Sequence, residues 1–571
     1  MSAAPVGVYH RGMAKEQSEM KRAVGALAGG VRSGAARLRN ALVAALPGER
    51  PRWLVLELTG SFPARRKKRR LFSPDALLGK ERVVSQEELE AHVTALLAAD
   101  WLEGVVVRLH ELRVGLATGY AVRRQLERLR AGGKRVVVTA TMLTDSDLYV
   151  ASAADELVVP ESAEFFVNGM AVTSTYMAEF LDRYGVRVEK LAIREYKSAM
   201  ENLVRRDMSE GQREQLDALL DSVQRTFLEQ VADGRGRDPE EVRAWVDAGV
   251  TSAASAQAAG MVDRLAYEDE LLGAEHKPFA AGARFLPVPV RPPQPGRVAV
   301  VSLEGAIVTG KSRKPPVPLP VFGEAMAGSE TLVRALRAAG KDPNTEAVVF
   351  HVDSGGGSAL ASDLIWREVK LLAARLPVVA VMGEVAGSGG YYVLTHATKV
   401  VAAPTTITGS IGVLSAKFVM EGFNERYGFN PETLKRGRFA DLNSSARGYD
   451  DEERALVERY MGEIYERFVA RVADGRGLDP ERVNEIGRGR IWSGADALEL
   501  GLVDELGDVA SAVALAKRLA NLPDDAPVWN VTPPPKHVLP LAQDGEALLR
   551  AVAPLLLERG LLMTPFAVKL G

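Results

Sequence analysis

Residues 345–383 read TEAVVFHVDSGGGSALASDLIWREVKLLAARLPVVAVMG. TEAVVFHVD (345–353) and PVVAVMG (377–383) are β-branched apolar runs, and SDLIWREVKLLAAR between them has helical spacing. Strand, glycine-rich turn, helix and second strand make a βαβ unit, whose two strands lie parallel. Working outward, RVAVVSLEGAIV (297–308) supplies an earlier strand, and ETLVRALRAAG a helix after the polar, proline-rich KSRKPPVPLP. The first half of the chain offers WLVLELTG, WLEGVVVRL and KRVVVTA in the same order. The fold class is therefore α/β with mainly parallel sheets.

The resemblance between halves is a duplication. ADGRG occurs at 232–236 and again at 473–477, a shift of 241. AGMVDRL (259–265) returns as LGLVDEL (500–506), Tyr184-Gly185 as Tyr427-Gly428, and LYVASAADELVVP (148–160) as YYVLTHATKVVAAP (391–404). The expected organisation is a basic amphipathic segment at 1–50, a first domain at 51–286 and a proline-rich linker at 287–296. A second domain follows at 297–520, then a C-terminal tail at 521–571 that carries a helix. At 571 residues the chain is too long for a single ordinary core, which agrees.

Composition excludes several classes. With 26% charged residues and a formal net charge of −2, no overall field points to nucleic acid. The absence of cysteine excludes disulfides, thiolate metal sites and a cysteine nucleophile. No uninterrupted run of about 18 apolar residues exists, so a soluble or peripheral protein is expected rather than a spanning one. Residues 20–46 form either a helix packed on the protein or an interfacial helix giving peripheral membrane contact. Arg65 to Arg70, all basic, reads as a solvated loop, with anionic lipid or a partner as the alternative. GEALLRAVAPLLLERGLLM (545–563) has helical periodicity and fits a packing or assembly helix.

Chemistry should gather where the second half collects glycine. Asp353-Ser354-Gly355-Gly356-Gly357 and Ala386-Gly387-Ser388-Gly389-Gly390 each follow a strand, at the sheet edge where α/β proteins bind ligands. Glycines there let backbone N–H groups face a ligand, and those of Gly356 and Gly389 suit an oxyanion. The first half reads HELRVG (110–115) and LTDSDLY (143–149) at these places and lacks the clusters. Ser388 is either a nucleophile or an N-cap for a helix through YYVLTHA. His396, eight residues on, lies about 12 Å along that helix and out of reach, and His351 reads as a sheet residue. A lysine could serve as base if desolvated, but composition does not select one. Lys197 in AIREYKSAMENL (192–203) is, on these grounds alone, a surface lysine at a turn.

EVAGSGGYY (384–392), APTTITGSIGV (403–413), REYKSAMENL (194–203) and the ADGRG phrases together resemble the signal peptide peptidase A (SppA) family in its long, duplicated form. The resemblance covers about residues 50–520. It implies two tandem ClpP/crotonase-like domains and a serine peptidase with a Ser/Lys dyad. It carries the nucleophile onto Ser388, the general base onto Lys197, a lysine-orienting serine onto Ser410 and the oxyanion donors onto Gly356 and Gly389. It further implies remnant signal peptides as substrates, no cofactor or metal, no nucleic acid, and a homo-oligomer, a tetramer. Each half then supplies one member of the dyad. Two features depart from the family: Gly355 replaces the proline of the usual Ser-Pro-Gly-Gly turn, and no N-terminal membrane anchor is found. The competing readings are a crotonase-type acyl-CoA enzyme on the same fold, or a non-catalytic membrane-associated scaffold.

Overall fold

The structure is a computed structural model that describes residues 30–31, 33–45, 50–66, 84–273, 275–288, 290, 296–313, 325–531 and 561–563. Two α/β units follow one another, each built on a parallel sheet. The first has the strand order 264–265, 156–159, 135–140, 104–112, 53–60, 276–278. The second repeats it with 505–506, 399–402, 378–387, 345–354, 297–304 and 528–530, and adds 407–409 beside 378–387, with 491–493 antiparallel to 407–409. Val298, Val300, Val348, Phe350, Val379 and Val381 are all fully buried, because helices cover both faces of the sheet. Alternating polar positions are therefore missing from these strands, and the runs read as continuously apolar. Val528–Asn530 pairs with Val298–Val300, so the second sheet draws its edge strand from beyond the expected domain end at 520.

The repeated ADGRG phrase has a local explanation. It ends two helices of 26 residues, Glu210–Arg235 and Asp451–Arg476. Gly236 (φ 62°) and Gly477 (φ 66°) then take the left-handed conformation that closes a helix. An Asp N-cap followed by proline starts the next helix in each unit, at Asp238-Pro239 and Asp479-Pro480.

A third sheet joins the two units. Its order is 326–328, 306–308, 356–358, 561–563, 414–419, 187–192. Arg187–Ala192 of the first unit runs antiparallel to Leu414–Val419 of the second over six pairs. A second junction is electrostatic. Glu384 of the second unit accepts the N–H groups of Ala117 (3.3 Å) and Thr118 (2.8 Å), at the start of the first unit's helix Leu116–Ala131.

Three expectations change. Residues 561–563 form a strand, since they find backbone partners on both sides; the rest of 545–560 lies outside the described residues. Arg65 is not solvated: it is 8% exposed and bonds Asn530 (2.6 Å) and Glu87 (3.1 Å), while residues 67–70 lie outside the described residues. The helix after Ser388 is a single turn, Gly389–Tyr392. Both Tyr391 and Tyr392 are buried there, their hydroxyls tied to Leu502 and Asp363, which anchors the chain as it turns toward the strand Lys399–Ala402. Residues 33–45 are helical, and Asn40 exchanges two 2.9 Å hydrogen bonds with the backbone of Val288 in the linker. Residues 1–29 and 291–295 lie outside the described residues. No helix among the described residues is long and apolar enough to cross a membrane.

Candidate active site

The strand Val378–Gly387 runs directly into Ser388, whose backbone has φ 52° and ψ −114°. A non-glycine residue in such a conformation is strained, at a cost of roughly 1–3 kcal/mol, and needs neighbours that over-determine it. They are present. Val385–Gly387 pairs with Ile407–Gly409, and the Ser388 N–H donates to Gly409 O at 2.8 Å. The Ser388 side chain makes no cap bond to the following turn. The N-cap alternative is thus not realised, and the hydroxyl points elsewhere.

It meets Lys197. The lysine Nζ lies 2.7 Å from Ser388 Oγ, 3.0 Å from Ser410 Oγ and 2.9 Å from Ser410 O. Ser388 and Ser410 are wholly buried and Lys197 is 1% exposed. These three partners are neutral oxygens, so nothing among them compensates a buried ammonium. Burial first, and the charge of Lys190 second, push Lys197 well below the ordinary lysine range. Lys190 itself donates to Lys197 O at 2.7 Å and pairs with Glu201 at 3.3 Å.

The lysine reaches this place through the tertiary fold. The strand Arg187–Ala192 ends in a turn with Arg194 (φ 74°) and Met200 (φ 64°) in the left-handed region. Tyr196 N–H donates to Arg488 O of the second unit at 3.2 Å. Gln215 holds the turn from behind, donating to Tyr196 O and Ser198 Oγ, each at 2.9 Å. The loop that crosses it needs Gly489: a Cβ there would sit 2.5 Å from Lys197 N. Lys190, Gln215 and Gly489 carry no motif that sequence reading could have used. The second ADGRG phrase, twelve residues before Gly489, was the nearest signal.

The glycine turns lie side by side. A Cβ on Gly389 would fall 3.2 Å from Gly356 Cα and 2.7 Å from Ser362 Oγ. Gly356 (φ 103°) donates its N–H to Ser354 Oγ at 3.1 Å, so Ser354 competes with any oxyanion for that proton. Neither histidine weighed as a base is among the hydrogen-bond partners of Ser388. His351 is 3% exposed within its strand, and His396 accepts from Trp366 Nε1 at 2.8 Å and faces Asp474. Among the described residues no group of three or more His, Asp or Glu side chains is arranged to hold a metal ion. Chemically, a buried uncharged amine touching a serine hydroxyl can take its proton and make the oxygen a nucleophile.

The chain is 32% identical over 439 residues to "Serine protease SPPA, chloroplastic" of Arabidopsis thaliana, a match covering 74% of this chain and 64% of that protein. It is 30% identical over 421 residues to "Protease 4" of Salmonella typhi, covering 70% and 66%. It is also 30% identical over 230 residues to "Putative signal peptide peptidase SppA" of Enterococcus faecium, covering 40% and 65%. The chain thus spans a little under two thirds of the length of these curated relatives. The model of Peptidase family S49 matches residues 128–278 and 370–523, one stretch in each unit. With both repeats matched and the buried Ser388 and Lys197 drawn from the two of them, the chain belongs to Peptidase family S49.

Proposed function

We propose that this chain is a serine endopeptidase that uses a Ser388/Lys197 dyad. The observation that carries the reading is the 2.7 Å separation of Lys197 Nζ and Ser388 Oγ, with both side chains buried. In the proposed mechanism the neutral amine of Lys197 takes the hydroxyl proton as Oγ attacks a peptide carbonyl. Gly356 and Gly389 N–H groups receive the oxyanion, with Ser354 Oγ yielding its hydrogen bond. The lysine then hands its proton to the leaving amine, and water activated by the same lysine releases the acyl-enzyme. Ser410 orients the lysine. Substrates are extended peptides, remnant signal peptides by the family resemblance and by the printed name of the Enterococcus relative.

Assembly is part of the same reading. A shift of 243 relates 171–176 and 430–435 to 414–419 and 187–192, which pair within the chain. The first pair of segments has no such partner here: 171–176 alternates exposed with half-buried positions, and 430–435 is exposed, Leu434 by 97%. Copies joined head to tail would pair them, giving a closed homo-oligomer, a tetramer by resemblance. A monomer for wild type in sedimentation velocity overturns this.

The catalytic reading is tested by digesting a panel of synthetic signal peptides with wild type, Ser388→Ala and Lys197→Ala. Each variant loses about 10³-fold or more in kcat/KM with unchanged circular dichroism. Wild-type kcat rises with pH through the lowered Lys197 pKa, because the deprotonated amine is the working form. Equal turnover by Lys197→Ala overturns the dyad, and acyl-CoA hydrolysis retained in Ser388→Ala favours the crotonase-type reading.

A further inference from the structure

A second buried lysine stands next to the first. Lys190 lies on the strand Arg187–Ala192, opposite Ala416 of the second unit, and its side chain is 7% exposed. A buried ammonium is costly unless its partners offset the loss of water, so its contacts are informative. Its Nζ donates to Lys197 O at 2.7 Å and lies 3.3 Å from Glu201 Oε1. Glu201 is buried too, and its other oxygen accepts from Ser209 Oγ at 2.7 Å. Ser209 is the N-cap of the helix Glu210–Arg235, so the pair is tied to a long rigid element.

These contacts close a loop upon itself. The chain leaves the strand after Lys190, carries Lys197 and returns at Glu201, and the one ammonium touches both later residues. On the way it passes Arg194 and Met200, both in the left-handed region. Such strain persists only where neighbours over-determine the backbone. Gln215 and the second unit's Arg488 grip this loop from outside, and Lys190 grips it from within.

We propose that Lys190, held by Glu201, is a positioning residue for Lys197: it pins the base-bearing loop from inside and keeps a positive charge behind it. This rests on the peptidase reading with Lys197 as base, and adds a residue to that site. The charge bears on the amine, because after burial it is Lys190 that disfavours the ammonium form of Lys197. The other charges nearby are compensated or turned away. Ser388 and Ser410 face Lys197 from the second unit and are neutral. On the outer side of the loop Glu195 pairs with Arg488, and Glu214 with Arg490. On the neighbouring strand Lys417 stands opposite Glu189, on the other face from Ala416. Burial lowers the pKa of Lys190 itself; Glu201 opposes that and Arg205 adds to it.

The experiment compares wild type, Lys190→Arg, Lys190→Met and the double variant Lys190→Met/Glu201→Gln, with Ser388→Ala as control, from about pH 5 to about pH 10. The readouts are kcat/KM for a short apolar fluorogenic peptide and the rate of labelling by a fluorophosphonate. The working amine is deprotonated, so both rise with pH along an acid limb. Loss of the neighbouring charge makes Lys197 easier to protonate. The limb therefore moves to higher pH in both Met variants, and at the wild-type midpoint their rates fall by about tenfold. Lys190→Arg keeps the charge and the wild-type limb. The double variant leaves no unpaired carboxylate, so it carries the test if Lys190→Met fails to fold. An acid limb that stays in place in the Met variants, whether or not the plateau falls, makes the pair merely structural and overturns the proposal. A limb displaced equally in Lys190→Arg overturns it as well, since the charge is retained there. Labelling that persists in Ser388→Ala, or is absent from wild type, defeats the peptidase reading instead.

Discussion

The two units share a sheet order and a pair of 26-residue helices, yet the turn after the third strand differs completely. In the first unit, Thr144 has ordinary extended backbone (φ −95°, ψ 175°), and a reciprocal capping box with Asp147 starts the helix Asp145–Ala151. In the second, Ser388 has φ 52° and ψ −114° and caps nothing. One turn is relaxed and structural; the other is strained, and its hydroxyl is free to meet a lysine. The converse holds after the next helix. The first unit sends Arg187–Ala192 across to the second and delivers Lys197, whereas the second unit's counterpart stretch, 429–440, is exposed throughout. The two copies thus differ in what their packing supports: one presents Lys197 and the other Ser388, and the two side chains meet.

The contrast can be broken most severely at a buried acid. Asp353 stands where the first unit has the exposed Glu111. Burial, then the charge of Glu384, pushes Asp353 up to about 7. Between about pH 4 and pH 7 the folded protein therefore holds a proton that the unfolded chain has released, so stability falls as pH rises through that window. Asp353→Asn removes this dependence. Relative to the variant, wild type should lose about 3 kcal/mol between pH 4 and pH 7.5, read from urea unfolding. Parallel pH profiles for the two proteins would contradict it.

The next effect falls on Gly489, whose counterpart at a shift of 241 is Ala248. Only the second unit must let another backbone cross at that point. Gly489→Ala should displace Lys197 and lower kcat by about 100-fold while leaving the sheet intact, since small misplacements at a reacting pair cost that much. A single-turnover assay checks it, and near-normal kcat would mean that the lysine turn adjusts freely.

The smallest effect is a pair of opposite signs. Ser388→Gly should stabilise the fold by about 1 kcal/mol through release of backbone strain, while abolishing turnover. Thr144→Ala should destabilise it by about 1 kcal/mol through loss of the cap. Thermal unfolding of both variants measures this, and a common sign would erase the distinction between the two turns.

Much of this was legible in the chain. The duplication, the parallel sheets and the glycine turns are written in local patterns, because β-branched runs, helix caps and left-handed glycines act through near neighbours. The resemblance pointed to Ser388, Lys197, Ser410, Gly356 and Gly389, and the fold brings Lys197, Ser388 and Ser410 within hydrogen-bond distance. Other parts were not legible. Arg65 looked like the start of a solvated run because a basic hexamer has no local sign of burial, yet it pairs with Asn530 and Glu87. Residues 561–563 looked helical because Leu and Met fit either period, and the partners that make them a strand lie about 150 and 200 residues earlier in the chain.

The sequence by itself determined the repeated α/β units and the glycine turn that carries Ser388, since those depend on hydrophobic period and on residues within a few positions of each other. Only the tertiary structure decided that the Lys197 pKa is lowered. A lysine's pKa is set by the solvent and charge around it, and here that surrounding is assembled from Lys190 of one unit and Ser388, Ser410, Gly412 and Gly489 of the other.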